Sequence, residues 1–189
     1  MIAFGRAKQR NLMRKILNRY SIQPALTSLI HLFASTLIIF AQPLLASGTP
    51  KISELTPLDI QYIRTQKSAI QETARSVGQN FTGHVENDIA LLQRLLDSKK
   101  IVRTMTLELQ AMGFILGDLL ANELDMHWVI YHDTYGRSRA LRYKDSENYL
   151  FPVTMISRRR EVNNLTSVRN IYNKAYETID PLRDPIPFQ

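Results

Sequence analysis

The sequence predicts an α+β domain behind an apolar leader. Three observations predict it. Apolar residues recur at helical spacing between residues 56 and 124. The spacing then changes to alternation, with a Trp, Val, Ile and Tyr content typical of strands, between Met126 and Phe151. Helical spacing returns near the C-terminus. The predicted order is two N-terminal helices, a Gly-containing helix, a three-stranded antiparallel meander and a C-terminal helix.

Residues 1–48 carry Arg6, Lys8, Arg10, Arg14, Lys15 and Arg19 and no acid, and end in the apolar run from Ala25 to Gly48. A basic segment, an apolar core and small residues at the end make the layout of an export signal, with cleavage after Ala46 or Gly48. Met13 offers a second start. Ala25 to Ala46 is also long enough to span a bilayer, so an uncleaved anchor is the alternative. Either reading places the domain beyond the inner membrane: periplasmic or secreted after cleavage, or membrane-anchored with the domain in the periplasm. Membrane contact is expected only through this segment.

Residues 49–55 read as a polar connector and 56–180 as one domain. Thr56 and Pro57 have the chemistry of an N-cap and a first-turn proline, so a helix is predicted from there to about Val77, with Ile63, Ile70, Ala74 and Val77 inward and Gly78 as its stop. A second helix is predicted from Val85 to Leu96 on Val85, Ile89, Leu92 and Leu96. A third runs from Thr106 to Leu124 on Leu109, Met112, Leu116 and Leu120. In it Gly113 and Gly117 lie one turn apart, where a neighbour can approach closely. Met126–His132 and Arg139–Tyr143 read as strands around a turn at 134–138, and Tyr149–Phe151 as a third, ended by Pro152. The "VTMISRRRE" stretch begins a helical segment or a turn. The last helix covers Thr166 to Ile179, with Val168, Ile171, Tyr172, Ala175 and Ile179 inward. Three prolines in the last ten residues predict an extended tail, 181–189.

Charge excludes more than it assigns. The chain of 189 residues has 24 Lys plus Arg against 17 Asp plus Glu, a formal charge of +7. The leader holds six of those cations, which leaves 18 against 17 from Thr49 onward, so the domain is near neutral and no nucleic-acid partner is expected. The absence of cysteine excludes disulfides, thiol catalysis and Cys-based zinc sites. There is no HExxH, no Gly-x-Ser-x-Gly elbow and no phosphate-cradling loop; "GQNFTG" lacks the lysine such a loop needs. No metal or cofactor is expected.

The stretch "WVIYHDTYGRSRALRY" holds the strongest candidate for a site. Alternation puts Trp128, Ile130 and His132 on one face and His127, Val129, Tyr131 and Asp133 on the other. Asp133 with Thr134 and Gly136 is the chemistry of a tight turn. Arginines crowd the hairpin and follow Phe151-Pro152, and their guanidinium forks suit carboxylates or phosphates. The expected binding residues are Trp128, Asp133, Tyr135, Arg137, Arg142, Arg158 and Arg159, and no catalytic residue is assigned. The expected role is a protein-binding or accessory module whose partner is an envelope protein or an anionic ligand. The alternative is an enzyme acting on an anionic substrate, with Asp133 and His132 as acid and base.

From Leu107 to Arg160 the residue order resembles a small bacterial family, the domain of unknown function numbered 3806. The matching residues are Gly113 and Gly117, then Trp128, Asp133, Tyr135-Gly136-Arg137, Ala140-Leu141, Phe151-Pro152, Thr154 to Ser157, and Arg158 with Arg159. The resemblance implies a shared α+β fold and implies no activity. The sequence departs from that pattern in having Arg159 where lysine is common, and a charged "RRRE" run.

Overall fold

The computed structural model describes residues 49–183. The leader over 1–48 and the last six residues of the tail lie outside the described residues. The elements are β1 (Lys51–Glu54), α1 (Pro57–Arg75), α2 (Val85–Asp97), α3 (Thr106–Leu124), β2 (Met126–Asp133), β3 (Gly136–Tyr143), β4 (Tyr149–Leu150), α4 (Pro152–Met155), α5 (Ser157–Glu161) and α6 (Val168–Ile179). The class is α+β, as the sequence predicts.

The helices follow from their caps and stripes. At the start of α1 the Thr56 hydroxyl accepts from the Asp59 backbone N–H, and the Asp59 carboxylate accepts from the Thr56 backbone N–H, closing a reciprocal capping box. Ile63, Ile70 and Ala74 of this helix are buried. At α6 the Ser167 side chain accepts from Asn170 N–H, and the five residues expected inward are all buried. α3 differs in kind. Its buried residues run around the whole cylinder rather than along one stripe, and it packs against every other described helix and against β2 and β3. Leu109, Met112, Leu116, Leu119 and Leu120 are almost inaccessible. Each such side chain contributes about 1.5–3 kcal/mol of burial.

The glycine pair of α3 explains how one helix can have so many neighbours. A Cβ on Gly113 would lie 2.6 Å from the Pro152 carbonyl oxygen and from Val153 Cα. A Cβ on Gly117 would lie 2.6 Å from Trp128 Cη2. Both glycines therefore let the backbone that follows β4 and the indole of β2 sit directly on the helix, the close approach their spacing predicts.

The sheet departs from the predicted meander by one strand. Its order is β1-β2-β3-β4, all antiparallel. β1 is the segment expected to be a connector; Lys51 pairs with His132 and Glu54 with Val129. Its four residues include one apolar side chain, so alternation carries no signal there, and its pairing partner lies far along the chain. β3 also starts earlier than predicted. A two-residue turn, Thr134-Tyr135, pairs Asp133 directly with Gly136. Pro152 opens α4 rather than closing a strand, where its missing N–H costs nothing. Pro181 likewise opens a 3₁₀ turn at Asp180–Leu182, where an extended tail was expected.

Candidate functional site

Asp59 organises the far end of the sheet. It is buried, 3% exposed, and it reaches across to two arginines of β3. Arg137 Nη1 and Nη2 donate to its two carboxylate oxygens at 2.9 and 2.6 Å, and Arg139 Nη2 donates to Oδ1 at 2.9 Å. The Arg137 hydrogen bonds, helped by those from Thr56, hold the Asp59 carboxyl far below the usual carboxylate range, against the opposing effect of burial. Asp59 in turn raises the Arg137 pKa. The Arg139 guanidinium lies 4.3 Å over the Tyr62 ring, which fixes it from the helix side. The same carboxylate thus caps α1 and clamps α1 to β3.

Next to this clamp lies an open groove of about 570 Å³. Arg137, Ser138 and Arg139 of β3 form one wall. Gln110 of α3, with Val153, Thr154 and Arg158 of the segment after β4, forms the other. Tyr131, Asp133, Tyr135 and Phe151 complete it. Tyr131 packs edge-on against Phe151, with ring centroids 5.2 Å apart, and against Tyr149 at 5.0 Å. Tyr135 stands at the hairpin tip, 97% exposed. The groove therefore combines aromatic surface with guanidinium donors, the mixture that orients an anionic group within an apolar contact.

The expected site residues separate. The groove brings together Asp133, Tyr135, Arg137 and Arg158. Asp133 is also the turn residue its sequence suggests, accepting from Tyr135 N–H at 2.8 Å. Trp128 lies elsewhere, half-buried against Phe114 and donating its indole N–H to Asp118 at 3.0 Å. Arg142 serves the β3–β4 turn, donating to the carbonyls of Ser146 and Asp145. Arg159 donates to the Met155 carbonyl at 2.6 Å, and Arg160 has Nε and Nη2 buried without an acceptor among the described residues. The arginine run thus points three ways, and only Arg158 faces the groove. His132 does not line it.

Asp59 carries no sequence signal as a site residue, and Arg139, one of the arginines that crowd the hairpin, is not among the expected binding residues. Asp59 at the third position of a helix reads as capping chemistry, which it also performs. Its reach to residues some eighty positions away has no local signal. Gln110 and Thr154 carried none either.

Residues 88–172 match the family model described as Domain of unknown function (DUF3806). The match runs from α2 into α6 and contains the hairpin, Gln110 and Arg158. Asp59 lies outside the DUF3806 segment, so the clamp joins a family-like core to a helix that precedes it. No curated protein matches the chain. A crystal structure of a protein from Bacteroides thetaiotaomicron VPI-5482 is similar, with a TM-score of 0.61 and 19% identity. The similarity covers 71% of this chain and 50% of that one, so the present chain spans about half its length. At that identity the likeness is one of fold.

Proposed function

We propose that this is an exported binding module whose groove holds an anionic part of an envelope protein. The observation that carries the reading is Arg158. It is exposed, faces the groove and makes no ion pair among the described residues. Beside it, Arg137 spends two of its five donors on Asp59 and stays 44% exposed at its side chain. A partner carboxylate would meet a preset guanidinium together with an unengaged one, over aromatic surface. The acid-and-base alternative has less support. Asp133 and His132 are consecutive on β2 and so stand on opposite faces of the sheet.

The export half of the proposal rests on the acid-free, apolar leader. A reporter active only in the periplasm, fused after Gln189, should be active; a silent reporter on an intact fusion would overturn this half. For the binding half, Arg158→Glu should leave folding unchanged and abolish salt-sensitive capture of the envelope partner that the wild-type domain retains. Equal capture by both proteins would remove the groove from the reading.

A further inference from the structure

The groove is bordered by backbone as well as by side chains. In β3, alternate residues direct their N–H and C=O groups to the same side of the strand. Tyr143 N–H donates to the Asn148 carbonyl at 3.0 Å, on the β4 side. Leu141, Arg139 and Arg137 share its parity and so point their backbone groups the same way. Leu141 is matched by Leu150. Continuing that register would put Pro152 opposite Arg139. Proline has no N–H to give, and the chain turns there into α4. No described strand pairs with Arg137–Arg139 on that side. The backbone edge thus presented borders the groove that Arg137, Ser138 and Arg139 line.

Resting on the binding reading above, we propose that the groove takes an extended acidic peptide as an added strand against Arg137–Arg139 of β3. Strand addition supplies main-chain hydrogen bonds, while alternate side chains of the guest meet the walls. On one face they meet Tyr131 and Phe151; on the other, the guanidinium groups. The charge balance sets the sign of the guest. Arg137, Arg139 and Arg158 face the groove, with Asp59 and Asp133 offsetting two of the three, so the unmatched charge is positive and belongs to Arg158. A guest carboxylate at that position completes the balance.

A library of terminally blocked hexapeptides screened against the full-length protein tests this. Selected peptides should carry Glu or Asp, and binding should slow amide exchange at Arg137 and Arg139. N-methylating the guest amides that face β3 should weaken binding about tenfold, the effect of losing two backbone hydrogen bonds. Arg158→Ala should weaken it several-fold. If N-methylated peptides bind as well as their parents while Arg158→Ala still weakens them, strand addition is wrong and the anion-binding reading survives. If no acidic peptide is selected and Arg158→Ala changes nothing, both fall.

Discussion

The two ends of β3 are one strand in two environments. Around Leu141 and Tyr143 it is paired on both sides and buried against α3. Around Arg137 and Arg139 it is paired on one side and borders the groove. The hydrophobic effect and the backbone ladder satisfy the first end with ordinary apolar residues. The second end bears charged side chains, and a single buried carboxylate on α1 holds them. If the groove binds as proposed, stability and recognition divide along the strand, and substitutions should divide the same way.

The largest effect should come at the closed end. Gly117→Val places branched atoms where the Trp128 ring lies. It should cost about 3 kcal/mol or fold poorly, read as a lower urea midpoint. A wild-type midpoint would mean that the indole moves aside freely.

Asp59→Asn comes next. It strips the clamp from two partly exposed arginines and weakens the α1 cap, for a cost of about 2 kcal/mol, below the 3–5 kcal/mol typical of fully buried pairs. The pH dependence follows from the lowered pKa. A carboxyl that titrates lower folded than unfolded stabilises the fold above its unfolded value, about 4, and that contribution is lost as pH falls toward the folded value. Wild type should therefore lose stability between about pH 4 and pH 2 more steeply than Asp59→Asn. Parallel curves would show that the clamp contributes nothing.

Asp118→Ala removes the acceptor of the Trp128 indole and the partner of Lys67, a half-exposed pair at 2.5 Å. A loss of about 1 kcal/mol in chemical unfolding is expected. The smallest effect on stability belongs to the open end. Arg158→Ala should change it by less than about 0.5 kcal/mol, although on the proposed reading it is the substitution that should weaken binding most. Native-state amide exchange sharpens the comparison without mutation. Arg137 and Arg139 should exchange early, and Ser138, Ala140, Leu141 and Tyr143 late. Uniform protection along β3 would erase the distinction between its ends.

Most of the helical framework was legible because its signals are local. Thr56-Pro57 marks a start, and the stripe of α6 is readable to the residue. The glycine pair predicts intimacy with a neighbour, although only the fold identifies Trp128 and Pro152 as the neighbours. What stayed hidden is long-range. β1 is a strand because β2 is beside it, not because "KISE" prefers to be one. The site was half legible for the same reason: the hairpin residues sit together in sequence, while Gln110 and Asp59 arrive from helices whose patterns speak only of packing and capping. The arginine run misleads because three adjacent cations on a short helix leave in three directions.

Pro152 has one more consequence. By ending the ladder opposite Arg139 it leaves a gap of about three residues, bounded by the hairpin tip on one side and by the rest of β4 on the other. Self-stacking sheets grow from uninterrupted segments of about six or seven residues with little charge. This opening is too short and too cationic to seed such growth, so an edge left open for the proposed guest need not recruit a second copy of the chain.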